Sequence, residues 1–411
     1  MRCVPSRPLG VVLTVVLSAL LAAPLPAAAA PRQGPDQPAE CANRELPPPP
    51  VDTSERPPPG QPSPAPLPVP ETPVGGERMG ECGLVLPPGA PRPPEELTAA
   101  SWVVQDLETG AILAAKDPHG RQRPASLVKS LLALVVLRDL EPGQVVVPTE
   151  LDASQECTCV GIVPGGRYTV DQLLHALLMR SGNDVAHALA TALGGVPEAL
   201  RRMNTLAARL GAKDTRAASP SGLDGPGMSS SAYDMGLVFH HAMRQPEYAA
   251  AVATRTMEFP GWGDKPAFPI YNDNKLLGSY PGFLGGKTGF TDDSRHTYAG
   301  AAERNGRRLA VVMLRGEQRP TRLTDQAAAL LDYGFALAAA GTPPVGRIDY
   351  SPTALTAPTA EPEPAGTGGT ALATATEDPF GTTGWIITIV VSVLSVGMVI
   401  TLHRRRQAAQ S

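Results

Sequence analysis

Ser126 and Lys129 stand three residues apart in an apolar stretch that includes Leu127, Val128, Leu131, Leu132 and Ala133. Spaced this way on a helix, the two share a face. An apolar setting disfavours the charged form of a lysine and lowers its pKa. A neutral amine beside a hydroxyl can take its proton. The start of the helix offers backbone N–H groups and a positive dipole to a developing oxyanion. Nucleophile, base and oxyanion donor then lie within one turn, which suits acyl transfer through a serine ester. Taken alone, a serine at a helix start is most often a cap.

Two further short motifs carry polar groups suited to the same reaction. Ser181-Gly182-Asn183 falls between two stretches of helical spacing. Alone it is a turn and a helix cap. In an active site, Ser181 would relay a proton to the leaving group and Asn183 would hold a substrate amide. Lys287-Thr288-Gly289 follows Gly285-Gly286, where glycines allow close backbone approach on an edge strand. Alone it is a glycine-rich turn with a solvated lysine. In an active site, Lys287 would supply positive potential, Thr288 would bind a carboxylate and Gly289 would leave room for substrate. The N–H of Phe290 would join that of Ser126 as the second oxyanion donor.

The elements that must position these residues mix both periods. Ser101 to Asp106 and Ala111 to Ala115 read as strands around a turn at Glu108-Thr109-Gly110. Ser126 to Leu140, Thr169 to Met179 and Asp184 to Leu193 have helical spacing. Leu309 to Leu314 is strand-like, and Thr324 to Ala340 is a last helix. Strands at both ends with helices between predict an α+β domain over residues 96–345. Its terminal strands share one antiparallel sheet, and a helical cluster fills the middle.

The three motifs together resemble those of the serine-type D-Ala-D-Ala carboxypeptidases, the low-molecular-mass penicillin-binding proteins. Pro124-Ala125-Ser126-Leu127-Val128-Lys129, Leu178-Met179-Arg180-Ser181-Gly182-Asn183-Asp184 and Gly285-Gly286-Lys287-Thr288-Gly289-Phe290-Thr291 carry the likeness. Met203-Asn204 before Leu210-Gly211, Pro220-Ser221-Gly222-Leu223 and Asn272-Asp273-Asn274-Lys275-Leu276-Leu277 extend it. The resemblance implies a β-lactamase/transpeptidase-like domain that uses no metal and no cofactor. It implies that Ser126 attacks the D-Ala-D-Ala end of a peptidoglycan stem peptide, with Lys129 as base, and that β-lactams trap the same serine. Ser181, Asn183, Lys287, Thr288 and Gly289 take the roles given above.

The same site chemistry serves D,D-endopeptidases, class A β-lactamases and non-catalytic penicillin sensors. A sensor is expected to carry a broken motif, and all three motifs are intact. A class A β-lactamase activates water with a glutamate. No Glu-x-x-x-Asn element follows Asn183, because Glu198-Ala199-Leu200-Arg201-Arg202 lacks the asparagine. His296, after the third motif, reads as a surface or core-edge histidine.

The flanks predict an address. Residues 1–30 have Arg2 and Arg7, an apolar run and small residues at Ala28 to Ala30, the pattern of an export signal. Residues 31–95 are crowded with proline and predict an extended, mostly unstructured segment with no packed core. Residues 346–384 form a Thr/Ala/Pro-rich linker. Residues 385–402 are apolar and uncharged, and 18 helical residues span about 27 Å, near a bilayer core. The tail, residues 403–411, opens with His403 and three arginines and is expected to stay cytoplasmic, leaving the folded part outside. An exported chain favours disulfides. Cys41 with Cys82 is the favoured pair, while Cys157-Thr158-Cys159 would bridge a single residue under strain. A net charge of -4 gives no basic patch of the kind a nucleic-acid partner needs.

Overall fold

Alternation along single strands builds the centre of the molecule, which is described by a computed structural model over residues 41–156 and 158–348. Strands β2 (Ser101–Asp106) and β3 (Ala111–Lys116) form a hairpin. Strands β8 (Phe283–Thr291), β9 (Arg295–Arg304) and β10 (Arg307–Gly316) form a meander. β10 pairs antiparallel with β2, so the two ends of the domain share one sheet, as expected. With β1 (Leu84–Val85) and β11 (Gly346–Arg347) on β3, the sheet has seven strands, and β8 is an edge.

Side chains on a strand point to alternate faces. Leu309, Val311 and Met313 of β10 therefore pack with Trp102 and Leu113 under α9 (Leu323–Ala339). Ala310, Val312 and Leu314 face the other way, into the larger core formed by the helices.

Those helices are α1 (Lys129–Asp139), α2 (Glu150–Ala153), α3 (Val170–Arg180), α4 (Asn183–Ala192), α5 (Val196–Leu210), α6 (Ala232–Ala242), α7 (Pro246–Ala253) and the short α8 (Leu276–Ser279). Two small two-stranded sheets complete the fold, β4 (Val145–Val146) with β5 (Tyr168–Thr169) and β6 (Thr256–Phe259) with β7 (Phe268–Tyr271). α1 is buried from Lys129 through Val136, so it is the central helix of the cluster and is apolar on every face but one. α3 begins where Thr169 and Gln172 form a reciprocal capping box. The expected helix from Ser126 differs at its start: Ala125–Val128 is a 3-10 turn that feeds α1.

The proline-rich segment corrects an expectation. Over residues 41–95 it is extended but not unstructured. Met79 and Val85 are fully buried in the main core, and β1 joins the sheet. The reason lies in hydrogen-bond supply. Proline has a carbonyl but no N–H, so such a chain carries surplus acceptors. Three arginines of the domain provide donors. Arg121 donates to the carbonyls of Glu45 and Leu67, both at 2.6 Å, and of Pro68 at 2.9 Å. Arg123 donates to Pro48 at 2.7 Å, and Arg216 to Ala65 at 2.9 Å. A disulfide between Cys41 and Cys82 closes this loop, as the favoured pairing expected.

Among the described residues no helix is long and apolar enough to cross a membrane. The expected export segment (1–30), the linker beyond residue 348, the apolar run 385–402 and the tail 403–411 lie outside the described residues. So does Cys157, while Cys159 is disulfide-bonded.

Candidate active site

Ser126 reaches the surface through close backbone packing. Ala125 just before it has φ 47°, a left-handed conformation that a side chain rarely adopts. Two glycines from distant segments lie against this bend. A Cβ on Gly222 would come within 2.0 Å of the Ala125 carbonyl oxygen, and Gly222 itself has φ 86°. A Cβ on Gly289 would come within 2.9 Å of the Ser126 nitrogen. Thr297 of β9 donates its hydroxyl to the Pro124 carbonyl at 3.0 Å. These contacts press β8 and the Pro220–Leu223 turn onto the serine and leave its side chain partly exposed while its neighbours are buried.

Lys129 is fully buried. Its Nζ lies 2.9 Å from Ser126 Oγ, 2.8 Å from Asn183 Oδ1 and 2.5 Å from the Ser221 carbonyl oxygen. Burial holds its pKa well below the ordinary lysine value, the nearby Lys287 charge lowers it further, and Asp184 opposes the shift. A lysine so perturbed, in contact with a serine hydroxyl, has the chemistry to accept that hydroxyl's proton.

The second motif lies at the junction of α3 and α4. Ser181 ends α3 in a left-handed conformation with φ 61°. Its buried Oγ has no hydrogen-bond partner among the described residues, an unusual state for a buried hydroxyl. Asn183 opens α4 and donates its amide to the Glu156 carbonyl at 2.7 Å. The third motif lies on the edge strand. Lys287 is buried and donates to the Thr288 carbonyl at 2.7 Å. Burial brings its pKa down to about 8, with Asp273 opposing. Ser126, Asn183, Phe290 and Thr291 line one cleft of about 340 Å³, with Ser221, Gly222, Leu223 and Asp224 forming another wall.

A family model for D-alanyl-D-alanine carboxypeptidase matches residues 88–318, more than half of the chain. The chain belongs to the D-alanyl-D-alanine carboxypeptidase family. It is 47% identical over 244 residues to the D-alanyl-D-alanine carboxypeptidase DacB2 of Mycobacterium tuberculosis, a match over 58% of this chain and 83% of that protein. It is 30% identical to DacF of Bacillus subtilis, where the match spans 58% of this chain and 62% of the relative's length. Among solved structures, a D-alanyl-D-alanine carboxypeptidase from Mycobacterium tuberculosis superposes with a TM-score of 0.59 at 45% identity, over 61% of this chain and 96% of that one. A Streptomyces DD-transpeptidase gives 0.57 at 27% identity, over 60% and 100%. The chain is thus a serine-type D-Ala-D-Ala carboxypeptidase of peptidoglycan processing.

In this carboxypeptidase the structure links the first two motifs directly through Lys129, and Gly289 of the third packs on the Ser126 backbone. His296 is half-buried and stacks on the Phe290 ring with centroids 4.5 Å apart, which fits the core-edge reading. Sequence reasoning gave no role to Ser221, whose carbonyl holds Lys129, although its Pro-Ser-Gly-Leu setting had been singled out. It also missed Asp184. That carboxylate accepts the N–H groups of Val160, Gly161 and Ile162 and so fixes the loop beside Asn183. Its position next to Asn183 was the one available clue.

Proposed function

We propose that this carboxypeptidase works through an acyl-enzyme on Ser126. Neutral Lys129 takes the hydroxyl proton, and Ser126 Oγ attacks the carbonyl of the penultimate D-alanine. The N–H groups of Ser126 and Phe290 receive the oxyanion. Asn183 holds a substrate amide, while Lys287, Thr288 and Gly289 receive the terminal carboxylate. The tetrahedral species collapses, the C–N bond breaks, and the proton reaches the leaving amine through Ser181. Water then hydrolyses the ester. β-Lactams mimic the dipeptide and acylate the same serine. The observation that carries this reading is the buried Lys129 amine at 2.9 Å from Ser126 Oγ.

The proposal includes an address. Residues 1–30 direct export, residues 385–402 span the membrane, and the residues from 349 to 384 link that span to a catalytic domain outside the cell, the expected linker start at 346 being taken up by β11 and the buried Ile348. The charge and hydropathy pattern of the flanks supports it. Protease protection of an epitope placed after residue 406 in intact cells checks it; digestion of that epitope from outside would reverse the topology.

Mass spectrometry of a stem pentapeptide incubated with the full-length protein tests the reaction. Loss of a single alanine is expected, and Ser126→Ala should abolish both that loss and covalent labelling by a fluorescent penicillin. Retained labelling would move the nucleophile elsewhere. Cleavage confined to cross-linked dimers would make the enzyme an endopeptidase. Rapid β-lactam turnover without peptide cleavage would make it a β-lactamase.

A further inference from the structure

The catalytic cleft is not built by the family domain alone. Asp52 and Ser54, from the disulfide-closed proline-rich loop, line the same cleft as Ser126, Asn183 and Phe290. Both residues precede the matched family region, which starts at residue 88. The loop is held on two sides of the nucleophile. The Val51 N–H donates to Asp293 Oδ1 at 2.5 Å, and the Ser54 hydroxyl donates to Asp293 Oδ2 at 3.3 Å. Asp293 closely follows β8. On the other side Glu55 accepts both Nε and Nη2 of Arg123, the latter at 2.8 Å. Arg123 lies three residues before Ser126. Both latch residues, Arg123 and Asp293, are buried, whereas Asp52 stays exposed.

The direction of a bound peptide follows from the roles proposed above, on which this inference rests. The terminal carboxylate belongs at Lys287 to Gly289 and the scissile carbonyl at the Phe290 N–H. The rest of the stem must then run the other way along β8, past Thr291 and Asp292. Asp52, Ser54, Glu156, Asp224 and Asp292 all line the cleft, and the bonds of Thr291 to Asp224 at 3.0 Å and of Ser54 to Asp293 at 3.3 Å tie Asp224 and the loop to that end. No lysine or arginine lines it among the described residues.

We propose that Val51–Glu55 is a substrate-contacting wall of this active site, and that Asp52 selects a free side-chain ammonium on the stem residue preceding D-Ala-D-Ala. One Asp52 oxygen accepts the Ser54 N–H at 2.8 Å, which orients the carboxylate. The loop thus adds specificity to a reaction whose chemistry is supplied elsewhere.

The test compares two peptides on the full-length protein: Nα-acetyl-L-lysyl-D-Ala-D-Ala, with its side-chain amine free, and the same peptide acetylated on that amine. The free amine should give a kcat/KM about three- to fivefold higher, carried by KM, as suits an exposed ion pair. Asp52→Asn should lower the ratio, and Asp52→Lys should lower it further, with Glu156, Asp224 and Asp292 retaining the remainder. An unchanged ratio in both variants, or equal loss on both peptides, would overturn the proposal. Absence of D-alanine release from either peptide by the unaltered protein would instead overturn the serine mechanism, and this inference with it.

Discussion

Around Ser126 three segments touch through bare backbone. Gly222 and Gly289 lie against Ala125 and Ser126 where no Cβ would fit, and a buried lysine completes the contact. The loop closed by Cys41 and Cys82 is held differently. Its prolines cannot donate, so long arginine side chains reach its carbonyls. The first arrangement tolerates no change in volume, because interiors transmit strain. The second spreads its attachment over several polar contacts, each worth about 1 to 3 kcal/mol. Precision of the reacting atoms and placement of the cleft wall are therefore separate properties of the molecule, and substitutions should separate them.

The largest effect belongs to the catalytic side. Lys129→Ala should slow penicillin acylation by several orders of magnitude, about 10³-fold or more, while circular dichroism stays near that of the unaltered protein. Acylation at the native rate would remove Lys129 as the base. Gly222→Ala comes next. Its Cβ must displace the Ala125–Ser126 bend, and a shift of about 1 Å is expected to cost on the order of 100-fold in kcat/KM. Near-native turnover would show that the bend can relax.

On the loop side the ranking of stability and activity should reverse. Cys82→Ser opens a loop with a sequence separation of 41 and should lower stability by about 4 kcal/mol in denaturant unfolding. Acylation by a small β-lactam should change by less than about threefold, since the loop holds none of the reacting groups. A loss of acylation as large as that of Gly222→Ala would erase the distinction between the two regions.

The last effect is a pH dependence of stability. Folded Lys287 titrates at about 8, against an ordinary value of 10.5. Between these values the unfolded chain holds more proton, so stability rises with pH. Below about 8 both states are protonated, and the cost of burying the charge is fully present. The stability of the unaltered protein relative to Lys287→Met should therefore rise by up to about 3 kcal/mol from pH 8 to 10.5, measured by urea unfolding. A flat difference would place the lysine's titration at its ordinary value in the folded state.

Much of the geometry around Ser126 was legible in the sequence because its contacts are local. Ser126 and Lys129 meet within one turn, and Ser181 to Asn183 occupy a turn whose position follows from the flanking helical periodicity. Strands Ser101–Asp106 and Ala111–Lys116, and helix α9, lie within a residue or so of their expected ranges. The proline-rich loop was misread because composition reports what a segment cannot do for itself. It does not report which distant donors will serve it. Arg121, Arg123 and Arg216 have no periodic relation to the carbonyls they bind. Gly222 was equally hidden: its φ and its contact with Ala125 exist only in three dimensions.

Lys129 has three partners: Ser126 Oγ, Asn183 Oδ1 and the Ser221 carbonyl oxygen. An ammonium has three N–H groups, while a neutral amine has two and one lone pair. As a neutral amine, Lys129 donates to Asn183 and Ser221 and accepts from the Ser126 hydroxyl. As an ammonium it donates to all three. The nitrogen keeps every neighbour in both charge states, and only the sense of its contact with Ser126 reverses. Both charge states share one geometry, so a proton can pass from Ser126 to Lys129 with no rearrangement of the anchoring contacts.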